Sequence, residues 1–194
     1  MNTACSAPAN PNNEDVMTAI KVWLERAVIG LNLCPFAKSV YVKNQIRYVV
    51  STSRDTDTLA LEFEKELQLL KESDAEEIDT TLLIVPHMLH DFFDYNDFLD
   101  VADMQIDISG LRGEIQIASF HPDYQFADTD RDDIANFTNR APYPILHLLR
   151  ESSIDRAVSA FPEPESIFEK NIATMEALGV HGWQQLFSAV NQQK

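Results

Sequence analysis

DTTLLIVP, residues 79–86, decides how this chain folds. From Thr80 to Val85 it is a near-continuous run of apolar and β-branched residues closed by Pro86. A half-buried strand alternates apolar with polar positions; a run like this one reads as a strand buried on both faces. Helical patterns surround it. Upstream, residues 57–73 place Leu59, Phe63, Leu67 and Leu70 on one stripe. Downstream, residues 91–109 put Phe92, Tyr95, Leu99 and Met104 roughly on one side.

Further strands flank those helices. IRYVVST, residues 46–52, is rich in β-branched and aromatic side chains. GEIQIASF, residues 113–120, alternates Ile115, Ile117 and Ser119 with Gln116 and Ala118. A first helix covers residues 13–33, with Val16, Ile20, Trp23, Ala27 and Leu31 at three- and four-residue steps. Asn13 serves as its N-cap, Glu14 and Asp15 fill its first turn, and Gly30 and Asn32 mark its end. Strands separated by helices imply parallel neighbours and right-handed crossovers. YPILHLLRE, residues 143–151, reads as an edge strand, because Pro144 cannot donate a ladder hydrogen bond. Helices follow over 153–161, 163–179 and 180–193, with Gly179 as a C-cap.

The fold expected is therefore α/β (or α+β). It is a single layered domain with a mixed, mostly parallel sheet of about four strands, flanked by helices and ending in a helical C-terminus. Residues 1–12 read as a disordered tail and 13–194 as one globular domain, which a chain of 194 residues can support.

Composition narrows the function classes. The net charge is −16, and residues 54–107 carry 16 acidic against 3 basic groups. A phosphate backbone would be repelled, so nucleic acid and anionic membranes are poor partners. The acidic surplus fits solvated helix faces. No apolar run reaches 18 residues, and MNTACSAPANPNNED has neither a basic start nor an apolar core, so no membrane span and no signal peptide are expected. Two cysteines, Cys5 in the tail and Cys34, with no secretion signal, favour a reduced cytoplasmic setting.

Residues 119–144, SFHPDYQFADTDRDDIANFTNRAPYP, form a long stretch with little periodicity. Loops of this length inside a compact domain are functional or disordered, and the aromatics argue against disorder. The third strand points into it, and ligands gather beyond the C-terminal ends of strands in open α/β sheets. His121 lies just past that end, with Asp123 and Tyr124 close by. The plainer reading is that His121 and Asp123 cap a turn begun by Pro122. Asp128, Asp130, Asp132 and Asp133 could offer oxygens to a hard cation, but the calcium-loop Gly and closing Glu are missing. Asp130 or Asp132 capping a short helix is the simpler account. His87 and His90 lack a third ligand. Asn139, Arg140 and Tyr143 follow; an Arg fork suits an anion, or it neutralises the neighbouring Asp residues.

A second centre is NLCPFAKSV, residues 32–40. Proline favours the first position of a helix, which would make Cys34 the N-cap. Unpaired N–H groups and the helix dipole there lower a thiol pKa, and Lys38 would help. The alternative is a buried cysteine acting as a small apolar filler.

WLERAVIGLNLCPFAK, SFHPDYQFA and NRAPYPILHLLRE together resemble the bacterial family catalogued as domain of unknown function 1415. The resemblance covers nearly all of the chain after the tail. It implies a cytoplasmic, one-domain protein of bacterial type and supplies neither a reaction nor a set of catalytic residues.

Three function classes follow. One is an enzyme, a cysteine-dependent hydrolase or transferase or a single-thiol redox protein. Cys34 would be its nucleophile, His121 its base, Asp123 or Asn139 the group orienting the His, and Arg140 the holder of an anionic substrate. Another is a non-catalytic module binding a small anionic metabolite or a partner protein through Tyr124, Phe126, Arg140 and Tyr143. The third is a metal-dependent hydrolase built on His121, Asp123 and the acidic cluster. No cofactor and no metal is expected, and substrate and oligomeric state stay open.

Overall fold

The computed structural model describes residues 11–159 and 166–188. Cys5, most of the 1–12 tail, the 163–165 helix start and residues 189–194 lie outside the described residues.

The elements run α1 (Asn13–Trp23), a π-helical turn (Leu24–Ile29), α2 (Ala37–Val42), β1 (Ile46–Val50), α3 (Thr56–Glu72) and β2 (Thr80–Ile84). Then come α4 (Phe92–Ile108), β3 (Ile115–Phe120), a 3-10 helix (Ile134–Asn139), β4 (Ile145–Arg150), α5 (Glu151–Ser159) and α6 (Ser166–Ser188). The sheet order is β1-β2-β4-β3. β1 and β2 pair parallel; β4 runs antiparallel to both β2 and β3. Three strands thus share one direction, and the fourth is threaded between two of them. The layered mixed sheet matches the sequence expectation, with one of its three pairings parallel and two antiparallel.

The edge position expected for the fourth strand does not hold: β4 is central. Pro144 lies one residue before the strand, so its missing N–H removes nothing from the ladder. Its carbonyl accepts from Val85 N–H at 2.9 Å. β2 is buried at all five positions, as its unbroken apolar run requires.

Alternation divides the side chains between two cores. Leu83, Val85, Leu146, Leu148 and Ile115 join α3 and α4 on one face. Leu82, Ile84, Ile145 and partly buried Phe120 join α1 and the π turn on the other. Each fully buried Leu or Ile contributes about 1.5–3 kcal/mol.

Short polar side chains cap α1, α3 and α4. Asn12, rather than Asn13, accepts from Asp15 N–H at 2.8 Å. Asp55 accepts from Thr58 N–H and Asp91 from Phe93 N–H, each satisfying a donor the helix cannot. The stripe α4 buries is Tyr95, Phe98, Ala102 and Ile106, while Met104 is exposed. This helix carries apolar residues all round, so spacing alone does not fix its inward face. Gly179 has φ 64° and breaks α6 in two, as its reading as a C-cap anticipates.

Candidate functional site

The 119–144 stretch is an elaborated hairpin connection. Phe120 and Ile145 are paired across β3 and β4. His121 N–H donates to Asn139 O at 3.2 Å and Ala141 N–H to His121 O at 3.4 Å, carrying the pairing beyond the strands. Inside, Asn136 is wholly buried and acts as the hub. Its Oδ1 accepts from Phe126 N–H (2.9 Å) and Thr129 Oγ1 (2.8 Å), and its Nδ2 donates to Asp130 O (2.8 Å). Asp133, not Asp130 or Asp132, caps the 3-10 helix, accepting from Ala135 N–H at 2.9 Å.

The residues expected to be chemical here are tied into that loop. His121 has 0% exposure. Its Nδ1 accepts from Asp123 N–H at 3.0 Å, which leaves Nε2 to donate to Leu89 O at 3.0 Å. Both nitrogens are occupied by backbone, and burial holds the imidazole below its usual pKa. The Asp123 carboxylate pairs with exposed Arg131 at 3.0 Å instead of orienting the ring. Asn139 Nδ2 donates to Ser119 O. The Arg140 guanidinium donates to Tyr124 O (3.2 Å) and Arg131 O (2.7 Å) and lies 4.2 Å from the Phe137 ring centroid. Tyr124 packs on Phe92 and Phe126, and Tyr143 belongs to the core. Asp123, Tyr124, Asn139 and Arg140 thus meet around His121, as parts of one self-bonded loop.

Cys34 does not join them. His121 packs against Phe92 and Tyr95 on the α4 face, whereas Cys34 packs with the α1 core on the other face. The thiol–imidazole pair expected from the sequence is not assembled, because the sheet separates its members. Cys34 is also not a helix N-cap. α2 begins at Ala37 with Phe36 as its cap residue, and Cys34 N–H hangs on Val28 O at 3.4 Å. The N–H groups of Phe36 and Ala37 do reach the sulfur and favour thiolate. Burial outweighs them and pushes the thiol up.

What Cys34 does line is a cavity of about 820 Å³ on the α1 face. Trp23, Leu82 and Phe120 form apolar wall, and Thr80 and His147 form its polar floor. The cavity lies along the sheet face toward the N-terminal ends of β1 and β2, not beyond the C-terminal strand ends. Thr80 Oγ1 donates to Leu148 O at 2.6 Å and lies 2.7 Å from His147 Nε2. Burial lowers His147 to a pKa of about 4. Lys43, Glu76, Asp79 and Arg156 also line the cavity. Arg150 is committed to the Leu70, Ser73 and Ile78 carbonyls. Trp23 Nε1 donates to Arg140 O at 2.9 Å, tying the cavity wall to the long loop.

Sequence reasoning passed over His147 and Thr80. The signal was register: in ILHLLR, Ile145 and His147 share a face, so a strand assignment already puts a histidine inside. Among the described residues no group of three or more His, Cys, Asp or Glu converges as a metal-ligand set, and no helix is long and apolar enough to cross a membrane.

No curated protein and no solved structure matches the chain. Residues 15–185 match the family described as "Protein of unknown function (DUF1415)", and the chain belongs to that family.

Proposed function

We propose that the protein is a binding module for a small molecule, held in the cavity between the α1 face of the sheet, α2 and α5. The observation that carries this is the cavity itself, about 820 Å³, with apolar walls and with Cys34, Thr80 and His147 in its lining. That volume is in the range of small-molecule sites, which combine apolar lining with a few placed polar groups. A titratable group held far from its usual pKa in such a pocket strengthens the reading, and His147 is one. At the long loop the Arg140 guanidinium is already held by two backbone carbonyls, Tyr124 O and Arg131 O.

The test uses N-phenyl-1-naphthylamine, a neutral apolar fluorophore. Its emission should rise and shift to the blue with the full chain. Ala118 lines the cavity, opposite His147 across the β3–β4 pair. Ala118→Phe should weaken the probe at least tenfold with little change in thermal midpoint. Probe binding that persists at wild-type strength in Ala118→Phe overturns the reading.

A second reading keeps thiol chemistry at a corrected site, with Cys34 and His147 as the pair, because both line this cavity. It requires deprotonating a thiol whose pKa burial has raised, and it therefore ranks behind binding.

A further inference from the structure

The hydrogen bonds under the cavity floor fix which His147 nitrogen can meet a ligand. Leu148 O can only accept, so Thr80 must use its single hydroxyl hydrogen there, at 2.6 Å. Thr80 Oγ1 then has only lone pairs to offer His147 Nε2 at 2.7 Å, so Nε2 carries the ring proton and donates. Nδ1 is left as a bare acceptor with no hydrogen bond among the described residues, on a side chain that lines the cavity. Thr80 is 4% exposed and buried in the central strand pair, so the relay is not free to invert.

The walls lack an opposing demand for an anion. Arg150 donates to three backbone carbonyls. Arg156 donates to Ser153 Oγ and lies 4.0 Å from Asp79. Lys43 is exposed, at the solvent edge. A carboxylate placed against Nδ1 would set lone pair against lone pair. Its alternative, protonating the ring, is opposed by burial.

Resting on the cavity reading, we infer that the site selects a neutral ligand with an apolar body and one hydrogen-bond donor, a hydroxyl or N–H, directed at His147 Nδ1, and rejects a carboxylate there. The structure carries no covalent step in this assignment. Recognition is by one acceptor inside an apolar envelope, where a site built to accept a hydrogen bond discriminates against analogues that lack the donor.

Three probes with the same ring system separate the possibilities: 2-naphthol, 2-methoxynaphthalene and 2-naphthoate. Binding is read at pH 7.5 by Trp23 fluorescence in a Trp183→Phe background, which leaves one tryptophan. 2-Naphthol should bind about tenfold tighter than its methyl ether, the typical consequence of one neutral hydrogen bond. 2-Naphthoate should bind at least tenfold more weakly than 2-naphthol. In His147→Leu the naphthol and ether should come within about twofold of each other. Thr80→Val, which frees the tautomer without touching the ring, should narrow the gap between naphthol and naphthoate. Equal binding of naphthol and ether by the parent protein overturns the inference and leaves the cavity reading standing, as does naphthoate binding tightest. No binding of any probe, with N-phenyl-1-naphthylamine also silent, overturns both.

Discussion

Cys34 and His121 lie on opposite faces of the four-stranded sheet, one packed with α1 and the other against α4. The parity of β3 explains it. Phe120 points to the α1 face, so the next residue, His121, turns to the other side, where Tyr95 meets it at 5.1 Å between centroids. A histidine placed one residue earlier would have entered the Cys34 cavity. Alternation along a strand, with period two, sorts candidate residues more strictly than closeness in sequence does.

His121 is accordingly expected to matter for stability and not for ligand binding. His121→Ala would leave Leu89 O and Asp123 N–H without their ring partners and open a void beside Phe92. Urea unfolding should show a loss of about 2–4 kcal/mol. Binding of N-phenyl-1-naphthylamine, measured below the unfolding range, should stay within twofold of wild type. A tenfold loss of binding would restore His121 to the functional site.

His147 sets a pH dependence. Its pKa falls from 6.5 to about 4 on folding, so the folded state binds fewer protons than the unfolded state in between. Above about pH 6.5 neither state holds the proton and stability is at its full value. As pH drops from 6.5 toward 4 the unfolded chain takes up the proton and stability declines, by about 3 kcal/mol in total; below 4 the term is flat. His121, also lowered, adds in the same direction. The part due to His147 is the difference between wild type and His147→Leu in denaturant midpoints across pH 4–8. Equal slopes for the two proteins would contradict a neutral imidazole in the folded state.

Much of this architecture could be read from the residues. The unbroken run in β2 announced a doubly covered strand, the stripe Leu59, Phe63, Leu67 and Leu70 placed α3, and Gly179 marked a break in the last helices. The central place of β4 could not be read, because Pro144 is equally compatible with the residue before a strand and with an edge position. Only the return path of residues 121–144 decides between them. The proposed site was half visible. Cys34 does line a cavity, but its partner there depends on strand parity and on β4 being central, and neither is a local property. The polarity of HPDYQF and NRAPYP drew attention because polar loop residues resemble sites. Here they satisfy backbone groups that a long loop leaves open.

Cys34 itself should react slowly. In a Cys5→Ser background, iodoacetamide at pH 7.5 should alkylate Cys34 at least tenfold more slowly than a free-thiol control, because burial favours the protonated thiol. Adding N-phenyl-1-naphthylamine should slow it further, since probe and sulfur share the cavity. Alkylation faster than the control, with a profile placing the thiol below its usual range, would move the thiol-enzyme reading ahead of the binding module.

Arg140→Ala separates loop from cavity. The variant removes two hydrogen bonds to carbonyls and the contact over Phe137. Hydrogen exchange should accelerate across residues 122–133, and stability should fall by about 1–3 kcal/mol. The Trp23 bond goes to the Arg140 backbone carbonyl, which the substitution keeps, so the cavity should bind its probes nearly as before. Selective loss of an anionic ligand with no change in loop exchange would support an anion site at Arg140.

Gly30 connects the π turn to the cavity. The extra residue in the turn brings backbone close. A Cβ at position 30 would lie 2.3 Å from Arg26 O, a contact no rotamer can relieve because both atoms belong to or adjoin the main chain. The backbone there has φ −64°, so the requirement for glycine is close approach and not an unusual dihedral. Just beyond, Leu33 N–H and Cys34 N–H both donate to Val28 O, which suspends the Cys34 loop from the end of the same turn. Gly30→Ala must therefore reopen the turn and displace that loop. Thermal and urea unfolding should register a loss of about 1–3 kcal/mol, the usual cost of forcing volume into a packed backbone. Probe affinity should fall at the same time, because Cys34, Pro35 and Phe36 form one wall of the cavity. Cys34 should also alkylate faster than in the parent, as its burial is relaxed. An alanine variant with lower stability but unchanged affinity and alkylation would show that the turn and the cavity wall move independently, and that the π geometry serves packing of α1 alone.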